Sequence, residues 1–255
     1  MSWRSVEIER ADGVAVLRID RGGSRNALSQ ELIGELGQAV SQLAEDPEVR
    51  AVVFTGTSEA FSAGIDLKDP KKWQDEELPL FMRREIAFRG ARLCAAVEAM
   101  PQITIAAIEG FAVGAGVAIT IACDWRVLAR DAYLWLPEIK LGLNLSWGAV
   151  PRLTTLVGPA KAKRALLLCE KLSADTALEW GLADRVSDPG EALAVAKDLA
   201  SAIADLPPTP VRISKESVNA VATALHRTAV YADGDQGLVC RDSAEAREAR
   251  AKFAR

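Results

Sequence analysis

Ile103-Thr-Ile-Ala-Ala-Ile108 leads into Gly110-Phe-Ala-Val-Gly-Ala-Gly116, and this coupling of an apolar run to a glycine-rich turn decides how the chain folds. The apolar run reads as a strand feeding the turn. Beyond it, Ala115 to Cys123 is expected to be a buried helix, because it is apolar on every face and opens where the glycines stop. A second segment of the same design, Phe61-Ser-Ala-Gly-Ile-Asp-Leu67, follows the apolar run Ala51-Val-Val-Phe-Thr55. A carbonyl that gains negative charge in a transition state needs N–H donors already in place, and glycine or alanine lets the backbone come that close. Either segment alone reads as a tight turn whose glycines satisfy a positive φ. Together, in this order and at this separation, they read as two backbone donors for one carbonyl oxygen.

Working outward, Val6-Glu-Ile8 and Val14 to Ile19 form a hairpin across Ala11-Asp-Gly13. Leu28, Leu32, Ile33, Leu36, Val40 and Leu43 recur at helical spacing, with Ser29 placed to cap. Phe81 to Met100 reads as a second helix ending before Pro101, and Trp125 to Leu128 and Tyr133 to Trp135 as short strands. Helical patterns then dominate: Ala160 to Cys169, Ala174 to Trp180, Gly190 to Ala204, Pro210 to Thr228, and a charged, alanine-rich segment from Asp242 to Phe253. Recurring strand-then-helix units point to an α/β core with helices covering a sheet, followed by a helical C-terminal third.

The 255 residues suffice for one large domain, or for a core with an appended helical part. With 49% hydrophobic and 26% charged residues, the composition is that of a globular chain rather than a disordered one. A net charge of −4 gives no basic footprint for nucleic acid. Cys94, Cys123, Cys169 and Cys240 have no CxxC spacing and are expected to be buried free thiols of a reducing compartment. No apolar stretch reaches the length of a membrane span, and neither terminus carries a recognisable address, so the expected location is cytoplasmic.

Five segments, in this order, resemble the enoyl-CoA hydratase/isomerase (crotonase) superfamily over nearly the whole chain. They are Arg25-Asn-Ala-Leu28, Phe61 to Leu67, Gly110 to Gly116 with the following Trp125, Leu136-Pro-Glu-Ile-Lys-Leu-Gly-Leu143, and Gly181-Leu-Ala-Asp-Arg-Val186. The resemblance implies a crotonase-like α/β spiral of repeated ββα units over residues 1–195, a helical C-terminal oligomerisation region over 196–255, and trimers or pairs of trimers. It implies an acyl-CoA thioester substrate, with coenzyme A as part of the substrate and no separate cofactor or metal. The oxyanion donors would be the amides of Ile65 and Ala115, the latter at the opening of a helix, with Gly114 before it as a substrate-binding residue. The coenzyme would lie along Arg25, Ala27 and Leu28 and along Ala63, Gly64, Asp66, Leu67 and Lys68, with backbone near Ala63 and Leu67 holding the adenine. Arg25 and Lys68 read either as phosphate contacts or as solvated surface charges. Near the C-terminus, Arg250 and Phe253 stand where the family has an aromatic and a lysine that touch a neighbouring subunit's coenzyme, so that contact is not carried over.

Side chains near the thioester choose the reaction. Hydratases of this family use two glutamates; here the first position is Ala118, and the second is Glu138. Burial in an apolar stretch would raise the pKa of Glu138 toward that of a general base, whereas a surface Glu138 would pair with Lys140 or Arg152. One carboxylate beside an oxyanion hole suits a proton shuttle that moves a double bond from position 3 to position 2. Hydration or a related lyase reaction is the alternative, and binding of acyl-CoA without turnover is a third reading. Ser146 replaces the extra carboxylate of dienoyl-CoA isomerases. Asp66 and Asp124 read as braces for neighbouring backbone. His226 assembles no Ser-His-acid set. Leu145 and Trp147 would either shape the acyl pocket or pack the core.

Overall fold

The computed structural model describes residues 3–69, 71 and 77–253. The side chains of Arg250 and Phe253 lie outside that description. β1 (Val6–Ala11) and β2 (Val14–Ile19) pair antiparallel as the hairpin. β3 (Ala51–Thr55) and β4 (Ile103–Ile108) then add in parallel, every residue of both buried. Continuous apolar runs such as these are what a parallel strand covered on both faces requires. Numbering the strands along the chain, β6 (Trp125–Ala129) and β9 (Arg185–Ser187) complete a sheet of order β1-β2-β3-β4-β6-β9. A smaller sheet has the order β5-β7-β8, from Phe111–Val113, Tyr133–Trp135 and Lys171–Ser173.

Helix α1 (Gln30–Ala44) buries Leu32, Ile33, Leu36, Val40 and Leu43, and the Ser29 hydroxyl accepts from the Leu32 N–H at 3.2 Å. It packs on α2 (Leu80–Glu98). Helix α3 (Ala115–Thr120) follows β5, and α4 (Ala149–Leu168) is broken at Gly158-Pro159, where Gly158 leaves helical geometry. Helices α5 (Ala174–Trp180), α6 (Ala192–Ala204) and α7 (Pro208–Ala222) come next, then α8 (His226–Val230), α9 (Asp233–Arg241) and α10 (Ala244–Phe253). Residue 195 falls inside α6, which lies across β3, β4 and β6. Among the described residues, no helix is long and apolar enough to cross a membrane.

Several elements differ from the sequence reading for local reasons. Gly110 to Gly116 is not one turn: Phe111–Val113 pairs with β7, and a bridge joins Ser62 to Ala112. The helix after it stops at Thr120, because Asp124 binds back to Thr104 and the chain must turn to enter β6. The region read as beginning at Ala160 is the second half of α4, Pro159 lacking the N–H to continue the first. The long pattern from Pro210 splits at Thr223, whose hydroxyl bonds the Asn219 carbonyl. Cys94, Cys123 and Cys169 are buried, but Cys240, on the outer helix α9, is only half-buried.

Candidate active site

Asn26 organises the first half of the site from a left-handed backbone, φ +55°. Its amide donates to the carbonyls of Ile19 (3.0 Å) and Ala60 (3.1 Å), and its Oδ1 accepts from the Arg21 N–H at 2.9 Å. Its carbonyl takes the Ser62 hydroxyl at 2.7 Å, and that hydroxyl accepts the Gly64 N–H at 3.1 Å. A short parallel bridge then fixes the loop: the Leu28 N–H donates to the Gly64 carbonyl (2.7 Å) and the Asp66 N–H to the Leu28 carbonyl (3.1 Å). This pattern uses the Gly64 carbonyl and the Asp66 N–H. Among the described residues the Ile65 N–H itself has no acceptor.

The second half is built at the β5–α3 junction. The Gly114 N–H is spent on the Trp135 carbonyl at 2.8 Å, and the Gly114 carbonyl accepts the Ala118 N–H at 3.0 Å. Ala115 heads the helix, one of the positions whose amide has no intrahelical partner, and it has no acceptor among the described residues. Gly64, at φ +83°, lies so close to this turn that a Cβ there would sit 2.7 Å from the Val113 oxygen and 3.6 Å from the Ala115 nitrogen. The two small-residue segments therefore abut, and Ile65 and Ala115 line one cavity of about 300 Å³.

Glu138 enters that cavity from a 3-10 helix, Glu138–Leu141, closed by Gly142 at φ +68°. A Cβ on Gly114 would sit 2.5 Å from Glu138 Oε1, so the carboxylate stands directly over the residue preceding the Ala115 donor. Oε2 has no accessible surface and no partner among the described residues. Burial pushes the carboxyl up to about 7, against the opposing pull of its own backbone N–H. The pairings a surface glutamate would make are absent: Arg152 binds Glu98 at 2.8 and 3.0 Å, and Lys140 lies by the Trp135 ring. Glu138 is the one carboxylate among the described residues lining the cavity.

Arg25, Ala63, Gly64, Leu67, Gly114 and Trp147 also line this cavity; Ala27, Leu28, Asp66 and Lys68 do not. Leu28 is fully buried behind the loop, and Lys68 is exposed outside it. Asp66 braces the loop, taking the Arg21 guanidinium at 2.8 Å and the Lys68 N–H at 2.9 Å. Asp124 is likewise structural, accepting from the Thr104 N–H, the Thr104 hydroxyl and Lys215 Nζ at 2.7 to 2.9 Å. Ala118 is fully buried in α3, and His226 bonds Thr155 in a different groove. Trp147 takes both of its possible roles: it lines the cavity, and its ring fills the space where a Cβ on Gly90 would stand 1.9 Å away.

The wall facing these residues comes from outside every motif. Arg83, Ile86 and Ala87 on α2, with Gly234, Gly237, Leu238 and Arg241 on α9, line it at helical spacing. Gly234 allows the close approach, since a Cβ there would strike the Phe88 ring at 2.4 Å. Asp233 pins α9 by accepting the Gly148 N–H at 2.9 Å. In the sequence these residues show only a helical period, and their cavity-facing side depends on how α9 folds back.

Residues 9–254 match the sequence profile described as enoyl-CoA hydratase/isomerase. The chain is 33% identical over 220 residues to the short-chain-enoyl-CoA hydratase of Clostridium acetobutylicum, covering 86% of this chain and 82% of that protein. It is also 33% identical over 220 residues to the crotonyl-CoA hydratase of Syntrophomonas wolfei, covering 86% and 83%. A solved enoyl-CoA hydratase/isomerase from Xanthobacter autotrophicus Py2 superposes with a TM-score of 0.90 at 28% identity, over 99% of this chain and 97% of that one. Profile, relatives and architecture agree, and the chain is an enzyme of the enoyl-CoA hydratase/isomerase family, with the crotonase fold.

Proposed function

We propose that this enzyme shifts the double bond of a 3-enoyl-CoA thioester into conjugation, with Glu138 as the only proton carrier. The observation that carries this reading is the single lining carboxylate, set against Gly114 and beside two backbone amides without acceptors. The thioester oxygen accepts from the Ile65 and Ala115 N–H groups. Glu138 removes a proton from C2, the C2–H electrons move toward the carbonyl, and negative charge collects on the oxygen. The protonated Glu138 then returns the proton to C4 as the electron pair flows back, leaving the double bond between C2 and C3. A placed oxyanion donor contributes about 10²–10³ in rate and a positioned base about 10²–10⁴, so both parts are needed for useful turnover. The base must be ionised, and a carboxyl near 7 is ionised in a useful fraction at neutral pH while remaining a strong enough base.

In the same reading the coenzyme runs along Arg25 to Leu28 and Ala63 to Lys68, with Arg25 and Leu67 at the cavity wall. The assembly is a trimer or a pair of trimers, supported by the exposed Val218 and Val221 on α7 and Leu225 in the turn after it, and testable by light scattering. A second reaction, water addition to a 2-enoyl thioester with Glu138 activating the water, is favoured by the activity named for both curated relatives. Incubation with 3-enoyl-CoA and 2-enoyl-CoA separates them: isomerisation gains conjugated-thioester absorbance at unchanged mass, and hydration loses that absorbance with the mass of water added. Binding of both thioesters without either change would refute the enzymatic reading of Glu138.

A further inference from the structure

One end of the cavity is polar in a way that a hydrocarbon chain cannot use. Helices α2 and α9 run antiparallel along the wall, Phe88 lying against Gly234 and Arg83 against Asp242. Arg83 therefore sits at the entry of α2 and Arg241 at the exit of α9, both on the lining. The two guanidinium groups converge on one carboxylate: Arg83 Nη2 and Arg241 Nε each donate to Asp242, at 2.5 and 3.1 Å. Arg83 Nε has no accessible surface and no partner among the described residues. Asn144 stands one turn of α9 away, its Oδ1 3.9 Å from where a Cβ of Gly237 would be, and that oxygen is also buried without a partner.

Burying a donor unpaired costs about 1–3 kcal/mol, more when charged, so a hydrocarbon acyl chain filling this cavity would leave that cost standing. A group that accepts from Arg83 and meets the Asn144 amide removes it. We infer that the acyl group of the natural substrate ends in a carboxylate, received at the Arg83, Asn144 and Arg241 end of the cavity. A turn of the Arg83 guanidinium brings the unspent Nε–H to the cavity face, where the carboxylate accepts it, while Asn144 rotates its amide N–H₂ toward it. This inference rests on the acyl-CoA reading of Glu138 and the two amides, and it adds the substrate class.

The test compares two thioesters of equal length, 3-hexenoyl-CoA and 3-hexenedioyl-CoA, by kcat/KM for the wild type, Arg83→Met and Asn144→Leu. The wild type is expected to favour the carboxylated substrate by about tenfold or more, as a site with buried polar groups rejects an analogue lacking their partner. Arg83→Met should collapse that ratio toward one, and Asn144→Leu should reduce it. Preference of the wild type for the hydrocarbon thioester, or a ratio unmoved in Arg83→Met, overturns the inference while leaving the Glu138 reading intact. A parallel rise in KM for both thioesters in Arg83→Met, with weaker binding of free coenzyme A, also overturns it and assigns Arg83 to the coenzyme phosphates. If the wild type consumes neither thioester, the catalytic reading fails and the inference with it.

Discussion

Replacing Glu138 by glutamine should stabilise the protein while abolishing turnover, and the size of the gain should depend on pH. The carboxyl titrates near 7 in the native chain and near its ordinary 4.5 when unfolded. Below 4.5 it is protonated in both states and costs nothing. Between 4.5 and 7 the unfolded chain loses the proton that the native chain keeps, so native stability declines as pH rises. Above 7 both states are ionised and the penalty stays constant at about 3 kcal/mol, since each tenfold difference in proton affinity between the two states is worth about 1.4 kcal/mol. Glutamine removes the titration, so the advantage of Glu138→Gln should grow by about 2–3 kcal/mol between pH 5 and pH 8. For a domain of this size that is about 5–10 °C in Tm. Paired urea and thermal unfolding at the two pH values measure it, with isomerase and hydratase turnover followed on the same samples. A gap that is the same at both pH values would refute the buried carboxylate, and turnover within about tenfold of wild type would refute its role as base.

The kcat/KM of the wild type should rise with pH through about 7 as Glu138 ionises in the free enzyme, and a profile flat across that range would remove it as the base. Gly114→Ala places a methyl 2.5 Å from Glu138 Oε1 at φ +52°, so turnover should fall by about 10²-fold with the fold retained by circular dichroism. Asp124→Ala leaves Lys215 buried and the Thr104 N–H unbonded; unfolding should show a loss of about 3–5 kcal/mol, and a loss below about 1 would mean this link is not structural. Burial pushes the Cys94 thiol up to about 12, so a thiol reagent applied to native protein should label Cys240 and spare Cys94 until unfolding.

The central strands were legible because a strand covered on both faces must be apolar throughout, and Ala51–Thr55 and Ile103–Ile108 begin and end as the sequence reading placed them. The helix behind Ser29 was legible for the converse reason, since its period and cap are local signals. Phe111–Val113, Lys171–Ser173 and Arg185–Ser187 were not, because strands this short owe their existence to a partner; Tyr133–Trp135, equally short, was legible from its aromatic β-formers. The same division runs through the site. Gly64, Gly114 and Glu138 stand in motifs because backbone approach and burial restrict residue type locally. Arg83 and Arg241 reach the cavity only through the docking of α9 on α2, a long-range event without a local signature.

The proposed oxyanion donors are peptide N–H groups, and a peptide N–H survives every substitution except proline. Selection acting on Ile65 or Ala115 thus has little grip on the donors themselves; it acts through Gly64, whose missing side chain lets the two turns meet, and through Gly114, whose missing side chain leaves room for Glu138. A saturation library should accordingly tolerate many small residues at Ile65 and almost nothing but glycine at 64 and 114. Such an arrangement leaves the surrounding wall, Glu138 included, free to drift between chemistries while the charge-stabilising element is inherited unchanged.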